Sequence, residues 1–289
     1  MLTSKLSRIT LLKKVWRVLI IILIFTATIV FIIPYLWMFL SSFKTTSDIF
    51  RYTYPLSWKT FIPPSPTLNN YKSIFFDWRF GRSLLNSMIA SIGQMIGTLV
   101  ICSLSAYVLA RIKFRGSNTL FGIIMLVAFI PFEVYMVPLF QVINFLNLQS
   151  SYFALFLPWI ANPFGIFLLR QAFMEIPRDF DDAAMVEGAS HFQIFWYVIL
   201  PSAKPTLITL SLMSFLWSWN AFLWPLIVMQ DPSKQVVQVK IATFTIPSEL
   251  PAWGEIFAGS AMATIPILIL FIILQRYYIK GAVLSGLKG

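Results

Sequence analysis

The side chains able to titrate, ligate or attack are few, and one place concentrates them. Asp179, Asp181, Asp182 and Glu187 fall within the nine residues DFDDAAMVE, four of only eleven acids in 289 residues. The only histidine, His191, follows them, and the only cysteine is Cys102. One imidazole in a loop gives no basis for an intramembrane Ser-His-Asp arrangement. One cysteine excludes a disulfide within the chain and any cysteine-based metal cluster. His-x-x-x-His and paired-Cys patterns are absent, so no metal site is expected. There is no G-x-x-x-x-G-K-[ST] run to cradle phosphates, so the chain is not expected to bind or hydrolyse ATP itself. Glu133 is the one acid that could carry protons through a membrane, and its place near the end of an apolar run favours an interfacial position. No catalytic residue and no cofactor are expected.

A second concentration is aromatic. Residues 216–225, LWSWNAFLWP, hold Trp217, Trp219, Trp224 and Asn220. Aromatic faces beside one amide suit stacking on a sugar ring and bonding to its hydroxyls. They suit packing between helices, or an interfacial belt, equally well. Both readings stay open on residues alone.

The elements that carry these residues follow from composition. The chain is 58% hydrophobic and 11% charged, which points to an all-α polytopic membrane protein. Its net charge of +11 belongs to cations at the ends of apolar runs, which is membrane topology rather than nucleic-acid binding. Residues 1–17 read as a cytoplasmic N-terminus and 18–289 as a single transmembrane domain. Six spans are expected, at about 18–43, 83–110, 118–133, 152–173, 207–229 and 256–279. The first is too long for a signal-peptide core and contains Pro34. Between it and the second lies a basic stretch whose prolines argue against regular structure. Gly93 and Gly97 have the spacing that lets helices pack closely. Gln141, Asn144 and Asn147 share one face of a short surface helix. Residues 236–245 read as strand-like. With six spans both termini share a side, and that side holds fourteen of the 22 Lys and Arg. The bias places both termini and the acidic loop in the cytoplasm.

That loop, residues 176–203, can be read locally. Pro177 suits a first helical turn, and the acids that follow sit near the helix's positive end. Ala183 and Ala184 favour helix, and Gly188 suits a left-handed helix end. Ser190 and Gln193 are spaced as a capping box, and Pro201 stops or kinks the second helix. Two adjacent alanines and a glycine end allow close approach by another protein. A helix that merely joins two spans is the other reading.

Asp182-Ala183-Ala184, two residues, then Glu187-Gly188-Ala189, with Pro201 closing Ile199-Leu200-Pro201, resembles the EAA loop of ABC importer permeases. The two acids are exchanged relative to the family pattern, Asp182 standing for Glu and Glu187 for Asp. Residues 219–228 and the ending from Gln275 to Gly289 are similar to carbohydrate importer permeases, the maltose-type subunit with a Lys-Gly tail above all. The resemblance implies a type I importer permease fold in a bacterial or archaeal cytoplasmic membrane. It implies that 176–203 docks on a cytoplasmic ATPase. The implied partners are a second homologous permease, two ATP-binding subunits, an extracytoplasmic solute-binding protein, membrane lipid and a sugar; no nucleic acid is expected. A permease for another solute (polyamine, phosphate or peptide) is the alternative. A membrane enzyme lacks catalytic residues, and an ATP-independent channel leaves the motif unexplained.

Overall fold

The computed structural model describes residues 2–244 and 251–286. Every regular element among the described residues is helical. Among the described residues, three helices are long and apolar enough to cross a membrane: Lys13–Ser41, Phe80–Arg111 and Trp253–Leu274. Three bent helix pairs also qualify if each is one span, giving up to six. The chain divides into two compact units, 1–78 with 244–262, and 79–243 with 263–289.

In the first unit, α1 (Leu2–Ser41) runs unbroken through Pro34. Its apolar side chains from Val15 to Phe31 are exposed all round, as expected of a helix solvated by lipid. The proline-rich stretch after it is more ordered than its prolines imply. It carries α2 (Thr46–Arg51), a 3-10 turn at Trp58–Thr60 and α3 (Asn69–Phe76). A buried polar knot holds these pieces. Lys44, 1% exposed, donates from Nζ to the carbonyls of Lys59 (3.1 Å) and Thr60 (2.6 Å). Asn70 donates from Nδ2 to the carbonyls of Ser42 and Lys44. Burial lowers the Lys44 pKa, and nearby Asp48 opposes that shift. The α15 helix (Trp253–Gly286) starts here, with Gly254 against the Asn70 amide. A β-carbon at Gly254 would lie 2.5 Å from Asn70 Oδ1, so only glycine fits.

The second unit is built on α4 (Phe80–Arg111). Its buried face is small and polar: Ser83, Ser87, Ser91, Gln94, Thr98 and Cys102. Its large apolar residues, Leu85, Ile89, Ile92, Ile96 and Val100, point outward. Between helices in lipid, close backbone approach replaces hydrophobic contrast as the packing force. At Gly93 a β-carbon would come within 2.8 Å of the Phe156 ring, and at Gly97 within 2.5 Å of Ile160 Cγ2.

Next come α5 (Ser117–Val127) and α6 (Phe132–Phe145), bent by 99°. The expected span at 118–133 therefore holds α5 and only the first residues of α6. Pro131 opens α6; it lacks an N–H and disfavours helical backbone at Ile130. The surface helix expected beyond Pro138 is the C-terminal part of α6. Then come α7 (Tyr152–Phe156), a 3-10 turn at Leu157–Trp159 and α8 (Pro163–Glu175), which Asn162 caps from Oδ1 to the Gly165 N–H at 3.0 Å.

Residues 236–245 are not a strand as far as they are described. Val237–Thr243 is a helix, α14, although Val and Ile favour strand. No neighbouring strand among the described residues could pair its backbone. The loop before it is fixed to α4 instead. Asn86 Nδ2 donates to the carbonyls of Ser233 and Gln235, and the Val237 N–H donates to Ser87 Oγ. The Lys-Gly tail of the resemblance, 287–289, lies outside the described residues.

Candidate functional site

The acidic loop folds as α9 (Asp179–Val186), α10 (His191–Ile194), a π turn at Phe195–Ile199 and α11 (Leu200–Ser202). Asp179, Asp181 and Asp182 occupy the first turn of α9. Gly188 has φ +87°, the left-handed value its position requires. A Schellman pair closes the helix: Gly188 N–H to the Met185 carbonyl at 3.0 Å, and Ala189 N–H to the Ala184 carbonyl at 2.9 Å. Ser190 and Gln193 form the capping box of α10 reciprocally. Ser190 N–H donates to Gln193 Oε1 at 2.7 Å, and Gln193 N–H to Ser190 Oγ at 3.3 Å. Pro201 lies within α11, just before an 81° turn into α12 (Lys204–Trp219).

The two faces of α9 differ. Asp181 and Ala184, three apart, face the protein, with Ala184 against the cluster that holds Tyr107, Leu169 and Phe173. Asp182, Ala183, Val186 and Glu187 face outward, Val186 at 90% exposure, with Phe180 and Met185 also exposed. Four contacts tie residues 176–191 to the end of α4. Arg111 Nη1 pairs with Asp181 Oδ2 at 3.5 Å, Arg178 Nη2 donates to the Ala110 carbonyl, and Tyr107 Oη donates to the His191 carbonyl at 3.0 Å. Arg111 Nη2 also donates to the Ile176 carbonyl at 2.8 Å. Sequence reasoning passed over Arg111 and Asp181 as individuals, since nothing local shows which of three acids turns inward. The result is a short helix with an exposed, partly apolar outer face, carried on the stem of α4.

The aromatic candidates separate. Trp219 is buried, with its indole N–H on the Ala263 carbonyl at 3.1 Å. Trp224, in α13 (Leu223–Val228), is buried with its N–H on the Ala154 carbonyl at 2.8 Å. Trp217 is exposed and meets Phe164 edge-on, and the exposed Asn220 donates to the Leu216 carbonyl in its own helix. Trp217 and Trp224 share a cavity of about 310 Å³ with Phe132, Trp159, Gln94 and Asn162. Gln94 is 4% exposed, and its amide has no partner among the described residues. The sequence had not marked Gln94; a glutamine in an apolar run was the available signal. Trp219 and Asn220 do not line this cavity.

Three helices, or up to six spans counting the bent pairs, long and apolar enough to cross a membrane define a multi-pass membrane protein, with α9 exposed on its outer face. The chain belongs to the binding-protein-dependent transport system inner membrane components, whose family pattern matches residues 99–282. It is thus a permease subunit and not itself an enzyme. It is 35% identical over 263 residues to an arabinooligosaccharides transport system permease of Halalkalibacterium halodurans, covering 89% of this chain and 91% of that one. It is 31% identical to the permease of the same description from Bacillus subtilis, covering 96% and 97%. With a Yersinia pestis sn-glycerol-3-phosphate transport system permease it shares 33% over 205 residues, 71% and 73% of the two chains. Among solved structures it matches a bacterial ABC transporter involved in import of the acidic polysaccharide alginate. That match has a TM-score of 0.80 at 22% identity and covers 92% of this chain and 97% of the other.

Proposed function

We propose that the chain forms half of the membrane pathway of an ATP-driven importer for a sugar or oligosaccharide, and that α9 is its contact with a cytoplasmic ATPase. The observation that carries the coupling part is α9 itself. Its outer face exposes Phe180, Ala183 and Val186, while Arg111–Asp181 fixes its inner face to α4. A helix that only joined two spans would not need that anchorage. A second homologous permease, two ATP-binding subunits and an extracytoplasmic solute-binding protein complete the assembly. It lies in a bacterial or archaeal cytoplasmic membrane, with six spans and both termini in the cytoplasm. ATP binding biases one of two states of the assembly, and α9 transmits that bias.

Sugar as cargo is supported by the oligosaccharide permeases among the relatives and by the cavity of Trp217, Trp224, Trp159, Phe132 and Gln94. The cavity lining has no charged residue, which suits a neutral sugar. The glycerol-3-phosphate permease keeps a polyol phosphate as the second reading. The test uses Val186→Glu, which loses no packing. Insertion and pairing with the second permease should be unchanged, while ATPase binding and binding-protein-stimulated hydrolysis fall sharply. Full stimulation in that variant would leave α9 as a connector.

A further inference from the structure

A cleft of the second unit opens beside the start of α9. About 570 Å³ in volume, it is lined by the α4–α5 loop and the end of α8. Four cations surround it, Lys113, Arg115, Arg170 and Arg178, and no acid lines it. Arg170 is already placed: its guanidinium lies 4.2 Å from the Phe121 ring centroid, and it donates to the Leu109 carbonyl and to Asn118 Oδ1. Arg178 donates to the Ala110 carbonyl. Lys113 and Arg115 are exposed and have no partner among the described residues.

The start of α5 opens into the same cleft through Ser117 and Asn118. Gly116 at its N-cap provides no side-chain cap, so the N–H groups of Asn118 and Thr119 stay free. Free N–H groups at a helix start favour an anion, and arginines beside them add charge-assisted donors. Leading away from it, the outer face of α5 exposes Leu120, Ile123 and Leu126, three apart and apolar. A ligand with an anionic head and an apolar tail matches both surfaces.

We propose that this cleft binds the phosphate head group of an anionic phospholipid from the leaflet on the α9 side, with the acyl chains along α5. The basic head-group pocket beside a membrane helix is the physical form such recognition takes. The proposal rests on the membrane reading of the family and is independent of which solute is carried. Because Arg178 lines the cleft and immediately precedes α9, a bound head group would brace the root of that helix.

The test is native mass spectrometry of the full chain in detergent, titrated with dioleoyl-phosphatidylglycerol or dioleoyl-phosphatidylcholine. One phosphatidylglycerol should be retained preferentially. Lys113→Gln/Arg115→Gln should weaken it at least tenfold without changing phosphatidylcholine retention. Lys13→Gln/Lys14→Gln, which removes equal charge elsewhere, should leave it intact. Circular dichroism and monodispersity check folding, and Arg115→Gln alone replaces the pair if the double variant is misfolded. Equal loss in both double variants, or no loss in the cleft variant, would overturn the site. Displacement of phosphatidylglycerol by excess inorganic phosphate would assign the cleft to a free anion and overturn the lipid.

Discussion

Replacing Asp181 with alanine isolates what holds α9 in place. The Arg111 and Asp181 side chains are only 3% and 12% exposed. The alanine variant leaves the Arg111 guanidinium buried with no counter-charge. Breaking a buried pair from one side costs about 3–5 kcal/mol, because the remaining charge is left unpaired. Arg111 Nη2 keeps its bond to the Ile176 carbonyl, so the low end applies, about 3 kcal/mol. At about 1.4 kcal/mol per decade, that is a shift of roughly a hundredfold toward the detached helix. Amide exchange of residues 179–189 in the purified full chain reads this opening directly. Rates there should rise by about two decades while the centre of α4 keeps its protection. The pair itself is imperfect, since Arg111 Nε and Asp181 Oδ1 are buried without partners. Arg111→Met/Asp181→Leu should therefore recover to within about 1 kcal/mol of the parent, an apolar pair costing no desolvation. Unchanged exchange in Asp181→Ala, or a double variant as loose as the single one, would refute the anchoring role.

Gly188→Val meets no atom within 4 Å, so its cost is backbone strain at φ +87°, roughly 1 kcal/mol or more. It should loosen α9 severalfold by exchange and lower stimulated ATP hydrolysis. Trp219→Phe and Trp224→Phe each remove an N–H from a buried carbonyl and should lower stability by about 1–3 kcal/mol in thermal unfolding. Trp217→Ala should leave the unfolding midpoint nearly unchanged and reduce sugar uptake in proteoliposomes. In a Cys102→Ala background, cysteines at Ser190 and Ser117 should react only with cytoplasmic reagent, and one at Ser65 only from outside.

What could be read from the sequence was what the backbone decides locally. Gly188, the Ser190–Gln193 box and the helical acids of α9 are short-range, and each is where its residue type requires. Long-range choices were not readable. Three acids in one turn cannot say which of them meets Arg111, since the answer depends on where α4 ends. The tryptophans stayed undecided for a related reason. In a uniformly apolar helix, one face has no contrast with another, so Trp219 turned inward and Trp217 outward read alike. Residues 236–245 failed because strand propensity needs a partner strand, while Asn86 and Ser87 bind the start of that loop. The more useful signal was present in α4 and runs opposite to soluble proteins. Serines, Gln94, Thr98 and Cys102 repeat along the inner face, while Ile and Leu line the outer one. Lipid solvates large apolar side chains as well as a protein core does, so they gain nothing by turning inward. Small and polar residues gain close approach and hydrogen bonds. In a chain this apolar, the polar minority therefore marks the protein interior. That rule picks out Gln94 in its cavity as well as Asn86 and Ser87, which hold the loop after α13.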